Sequence, residues 1–281
     1  MRALAATALV TLVVACGGHT ASTSAPTPAT RRAPPADPVV RYVAGTSRYR
    51  VESTSRFAQE VMGNSQEVTL GQLMLFTAAL APDSGNIALT ATVESLTVSG
   101  GAPGIDASML NAAVGQAFRS RFTAEGRPVS SSVPDSGNPA IVHVGRLFRD
   151  FLPHLPASTA AGTTWVDTVR DTQTMAGGAG QTVTQSVREY RVVGWETRDS
   201  VRALHISGTG HYTITGTGES QGQPIELTGA GQATSERWIS AAGVYLGGTT
   251  SDSTDITINV INMGMTVPVH QTQQLIITRQ R

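Results

Sequence analysis

From Thr163 to its C-terminus the chain carries the period-two pattern of strands, broken at short intervals by Gly177-Gly178, Gly194, Gly208 to Gly210, Gly216 to Gly222, Gly229 to Gly231, Gly243, Gly247-Gly248 and Gly264. A period of two sends successive side chains to opposite faces of a strand, and glycine at this spacing supplies the backbone freedom that tight turns need. No helical segment separates these runs, so parallel strands have no crossovers to connect them. The region reads as an antiparallel meander.

The first half joins the same architecture. Tyr49, Val51, Ser53 and Ser55 alternate with Arg48, Arg50, Glu52 and Thr54, giving a strand within Tyr42 to Gly63 that turns at Gly63-Asn64. Glu67 to Ala81 and Ile87 to Val98 follow as two more strands around the turn Pro82-Asp83-Ser84-Gly85-Asn86. The period then changes. Asp106 suits an N-cap, and Met109, Leu110, Ala113, Val114, Ala117 and Phe118 recur at three- and four-residue spacing, which predicts a short amphipathic helix near 106–118. Arg119 to Val129 returns to strand. A second Pro134-Asp135-Ser136-Gly137-Asn138 leads into Pro139, and Ile141, Val144, Leu147, Phe148, Phe151 and Leu152 predict a second helix near 139–152, stopped by Pro153 and Pro156. The expected fold is therefore mainly β (α+β): a large curved antiparallel sheet or partial barrel, a single domain over 41–281, with two short amphipathic helices between its N-terminal and C-terminal strands.

Composition narrows the partners. Charged residues make up 14 % of the chain, and 20 basic residues, all arginine, balance 20 acidic ones. The charged share of an average globular domain is about 25 %. With no net charge and no basic run, nothing marks a surface for nucleic acid.

The N-terminus has a different logic. Arg2 precedes an uncharged apolar run, Ala3 to Val14, too short for a permanent span and suited to the apolar region of an export signal. It ends in Val13-Val14-Ala15-Cys16-Gly17, which resembles the lipobox of bacterial lipoproteins. That resemblance implies a signal peptide over 1–15, cleavage between Ala15 and Cys16, and a diacylglyceryl group with a further acyl chain (palmitate-type) on Cys16. Several acyl chains on one residue hold far more firmly than one, since each buried CH₂ contributes about 0.8 kcal/mol. Residues 16–40, rich in Ser, Thr, Pro, Ala and Gly, read as a linker spanning on the order of 27 Å as a flexible coil. Cys16 is the chain's single cysteine, so no intramolecular disulfide forms. Gly17 rather than an acidic residue after the lipidated cysteine leans toward the outer membrane, facing the periplasm or the cell surface.

Candidate chemistry is sparse. Gly218-Glu219-Ser220-Gln221-Gly222 fits the G-x-S-x-G string of serine hydrolases, with Asp252 or Asp255 and then His270 in the right chain order, but it sits between strands rather than at a strand-to-helix turn. His143, His154, His205, His211 and His270 have no metal-ligand spacing, although a hairpin would bring His205 and His211 together. Asp167 and Asp171 read as a solvated strand face beside Trp165, and Trp165, Trp195 and Trp238 as core or edge-covering residues. No catalytic, cofactor or metal site is expected.

The body resembles a class of uncharacterised bacterial lipoproteins that share an amphipathic helix ending in Pro, then a Gly and a Trp opening the next strand. Here these are Phe151-Leu152-Pro153 and Gly162-Thr163-Thr164-Trp165. In architecture it is also similar to the half-barrel lipoprotein carriers of the periplasm. That likeness implies an envelope lipoprotein, not an enzyme, that binds an apolar ligand such as a lipid, or an envelope protein, with Leu147, Phe148 and Phe151 lining the cavity. The alternatives are a structural or assembly scaffold and, remotely, a hydrolase using Ser220.

Overall fold

Alternation of buried and exposed side chains runs through almost every described segment, and backbone pairing joins these segments into one sheet. The computed structural model describes residues 39–61, 64–100, 110–174, 180–220 and 222–281. The strands are β1 (Gly45–Val61), β2 (Asn64–Asp83), β3 (Asn86–Gly100), β4 (Ala117–Thr123), β5 (Pro128–Ser132), β6 (Thr164–Thr174), β7 (Gly180–Arg198), β8 (Val201–Ser220), β9 (Gln223–Ser240), β10 (Tyr245–Val260) and β11 (Met265–Gln280). The single described α-helix, α1 (Pro139–Arg149), lies between β5 and β6.

The sheet is antiparallel, in the order β5-β4-β3-β2-β1-β11-β10-β9-β8-β7-β6. Two meanders thus meet at the centre, where β1 pairs with β11 from Arg48 opposite Gln280 to Gln59 opposite Val269. The edges β5 and β6 are consecutive strands in the chain, so α1 and its flanking segments must pass from one edge of the sheet to the other. Four register shifts, at Leu75/Phe76, Arg121/Phe122, Val192/Gly194 and Tyr245/Gly247, accompany the curl of the sheet into a half-barrel. At the first, Glu94 is the extra residue, and its carboxylate accepts hydrogen bonds from Arg48 Nε (2.7 Å) and the Thr77 hydroxyl.

The inner face of the curl is filled at one end. Tyr49, Phe76, Phe118, Phe148, Phe151 and Tyr245 are all buried there with Leu89, Val192, Leu204, Ile206 and Ile239. Tyr49 stacks on Phe76 at 5.4 Å, while Phe148 and Phe151 meet the Phe76 ring edge-on at 4.9 and 5.4 Å. Such ring pairs contribute about 0.5–1.5 kcal/mol each beyond area burial. Helix α1 supplies Ile141, Val144 and Phe148. Its start is fixed by Asn138, whose side chain accepts from the backbone N–H groups of Ala140 and Ile141, and by Pro139. Arg146 and Arg149 in the last turn match the negative end of the dipole.

The partial barrel agrees with the sequence reading, but its helices do not match in extent. The second helix stops at Arg149; Phe151, Leu152 and Leu155 are buried from the segment after it. That segment is tied to the β4–β5 turn by Leu155 N–H donating to Glu125 O (2.7 Å), and to the start of the body by Tyr42 Oη donating to Pro153 O (2.6 Å). Of the first helix, expected near 106–118, the described residues hold Leu110, which is α-helical, and the 3₁₀ turn Asn111–Ala113 that follows it; 101–109 lie outside them. Gly115 adopts φ 78° and ends any helical path, and Ala117 and Phe118 belong to β4, where Phe118, Ser120 and Phe122 alternate inward. The helical spacing therefore runs on by coincidence past the end of the helical path into a strand.

Candidate functional site

The filled end accounts for only part of the inner face. All the central hairpins, β1–β2, β8–β9 and β10–β11, have their tips at the opposite end, far from α1. Following the register outward, the first inner row there is Val68, Phe57, Gln271, Thr254, Gly231, Tyr212 and Ser186. The next contains Val269, Ile256, Gly229 and Ile214, and the one beyond it Val267, Ile258 and Leu227. Phe57, Val68, Ile214, Leu227, Ile256, Ile258 and Val269 are half-buried. Val267 and Ile225 are buried, yet stand apart from the core around Phe76. The outer face at the same levels carries Glu60, Glu67, Glu226, Asp255, Thr228 and His270, all exposed. The open end of the curl thus presents apolar side chains inward that no other element covers among the described residues.

Between the filled and open ends lies a polar belt. Tyr212 on β8 crosses β9 over Gly231, where any Cβ would overlap its ring, and reaches β10. Its hydroxyl donates to Asp252 Oδ2 (2.6 Å) and meets the Thr254 hydroxyl, which itself donates to Asp252 Oδ1 (3.0 Å). Burial, and then the Asp252 carboxylate, push the Tyr212 phenol above its ordinary range, so it stays a donor. Gly208 takes the same part for Tyr190, whose ring lies over it and stacks on Trp165 at 5.3 Å.

Phe148 and Phe151, expected to line a cavity, are instead 1 % exposed and locked in the aromatic packing, and Leu147 packs half-buried against the same core. The stripe that looked free in sequence is consumed by the sheet it faces. The better signal was in the strands: apolar residues at period two, Ile256, Ile258 and Val260 on β10 and Val267 and Val269 on β11, placed at the ends farthest from α1.

The other candidates are placed as follows. Ser220 ends β8 opposite Gln223, at a hairpin tip. His270 is level with Asp255, Ala230 and Thr213, seven residues from Ser220 along β8, or roughly 23 Å at strand rise. No triad forms. His270 and Asp255 pair at 2.7 Å on the exposed outer face, beside a shallow groove of about 420 Å³ lined by Ala58, Glu60, Glu67 and Pro268 among others. His205 and His211 do not meet: both are on β8, and His205 sits between Glu236 (2.5 Å) and Glu196 (3.5 Å), stacked on Trp238. Asp167 and Asp171 are not a solvated face. Asp167 accepts from His154 Nδ1 (2.8 Å), whose Nε2 accepts from Arg127, and Asp171 pairs with Arg149 of α1 (2.8 Å). They tie β6 to the segment that crosses the curl. Among the described residues no three His, Cys, Asp or Glu converge to hold a metal ion. Ala15 and Cys16 lie outside the described residues.

No known family and no curated protein matches the chain. Among solved structures, Neisserial surface protein A is similar over 83 % of this chain and 98 % of its own, at 6 % identity and a TM-score of 0.21. A BenF-like porin from Pseudomonas fluorescens is similar over 84 % and 98 %, at 6 % identity and a TM-score of 0.22. A DUF1329 family protein from Desulfovibrio piger is similar over 84 % and 85 %, at 8 % identity and a TM-score of 0.17. Scores this low establish no common fold.

Proposed function

We propose that this is a non-enzymatic lipoprotein of the bacterial cell envelope, anchored through acyl chains on Cys16, whose curled sheet binds an apolar or amphipathic molecule on the open half of its inner face. The observation that carries the binding role is the pair of rows of half-buried Ile256, Val269 and Ile214, and Ile258 and Leu227, on which nothing else packs among the described residues. An inward-facing apolar surface of this kind gains free energy when a ligand covers it, at about 25 cal/mol per Å². The anchoring role rests on the Val13-Val14-Ala15-Cys16 string and the uncharged run before it.

Two measurements test this. Intact-mass analysis of protein from its native host is expected to find a chain starting at acylated Cys16; a retained Met1 or a bare thiol overturns the anchoring. Native mass spectrometry of the same material is expected to release a lipid-sized apolar molecule. Failure both to release one and to bind a neutral fluorescent apolar probe overturns the binding role.

A further inference from the structure

The boundary between the filled and open ends holds a cation with no counter-ion among the described residues. Arg237 is an inner-face residue of β9, level with Ile206 and Gly248, and is only part-buried. Its guanidinium donates to Tyr245 Oη and to Thr250 Oγ1, each at 3.0 Å. Both are neutral groups, and among the described residues no carboxylate lies within ion-pair distance of Arg237. An arginine drawn in from water is ordinarily matched by an anion, because neutral hydroxyls replace only part of its hydration.

A second, independent observation stands one rung outward, in the row formed by Trp165, Tyr190, Gly208, Ser235 and Thr250. The Trp165 indole N–H is buried and has no acceptor. A buried donor left unmatched in a folded protein marks a place where an acceptor belongs. The inner face at this level thus holds an unmatched donor on β6 and, three strands away on β9, an arginine bonded only to neutral groups, and it adjoins the apolar open end.

We propose that Arg237 is the headgroup anchor for a long-chain carboxylate, a fatty acid in chemical class. This deepens the binding role proposed above and rests on it. A planar carboxylate matches the guanidinium fork of Arg237. The headgroup binds on the filled side of Asp252, whose own charge is held by Tyr212 and Thr254. From Thr250 to Ile256 is six residues, about 20 Å along the strand. An extended alkyl chain of common length follows that path over Ala233 and the Tyr212 ring to Gly229 and Ile256.

The test is displacement of the neutral probe N-phenyl-1-naphthylamine from the full-length mature protein by palmitic acid and by hexadecanol, which differ only at the head. Palmitic acid is expected to displace the probe at a concentration about tenfold lower than hexadecanol, the difference a charge-assisted pair confers. Arg237→Gln should abolish that preference, and Arg237→Lys should keep part of it. Equal displacement by acid and alcohol from the wild-type protein overturns the anchor and leaves the apolar surface standing. No binding of probe, acid or alcohol overturns both. Because the wild-type comparison decides the matter alone, an Arg237 variant that fails to fold does not blunt it.

Discussion

The two ends of the inner face are built from the same strands and differ in what covers them. At the filled end, β2 and β3 place Phe76, Leu89 and Val93 against rings brought by α1 and the segment after it, and each is 1 % exposed or less. At the open end, β10 and β11 continue the same alternation with Ile256, Ile258 and Val269, but these stay half-buried because the covering segment stops short. One alternation pattern therefore serves two purposes, and length alone separates them: strands of 16 to 20 residues outrun an 11-residue helix.

That contrast can be broken most forcefully at the filled end. Phe76→Ala removes the ring touched by Tyr49, Phe148 and Phe151, and should cost about 3–5 kcal/mol in urea unfolding. A loss under ~1 kcal/mol would show that the packing there is loose. Gly231→Val forces Tyr212 off β9 and away from Asp252 and Thr254. Leaving those groups unmatched should cost about 1–3 kcal/mol by the same measurement. Asn138→Ala deletes the cap of α1 and should cost about 1 kcal/mol. Ile256→Asn on the open end should change stability by less than about 1 kcal/mol, since no core is breached. It should nevertheless weaken probe binding, and that dissociation of stability from binding sharpens the contrast most.

The smallest effect is one of pH. Hydrogen bonding from Thr77, and then the Arg48 guanidinium, hold the Glu94 carboxyl below its ordinary value. A group depressed in the folded state contributes stability that is fully present above its unfolded value and is lost as pH falls through the folded one. Thr77→Val should therefore lower stability slightly at neutral pH while leaving it little changed in strong acid, which flattens the acid limb of stability against pH. An unaltered acid limb would show that the pairing at this register shift is immaterial.

How much of this was legible beforehand depended on range. The string Pro-Asp-Ser-Gly-Asn occurs twice and does two jobs. In the first copy Ser84 and Gly85 take positive φ and close the β2–β3 hairpin; in the second Asn138 caps α1. Both outcomes were readable, because each is decided by the residues immediately following. The open apolar surface was not, since it depends on where α1 lands relative to strands more than a hundred residues later. Arg237 was equally hidden: an arginine in an alternating strand looks outward-facing until the register puts it between Ile206 and Gly248. The pairing of β1 with β11 joins residues some 230 positions apart, and no local signal announces it.

That central seam has a bearing on when the protein can assemble. Until Met265–Gln280 has been delivered, β1 through β5 and β6 through β10 are two separate ribbons, each with a bare edge and half a floor for the aromatic rings. Closure of so distant a contact is slow, because a long loop must be ordered before the pairing is gained. Either ribbon alone is pliable, and the sheet becomes rigid only when β11 locks the two together along β1 and β10.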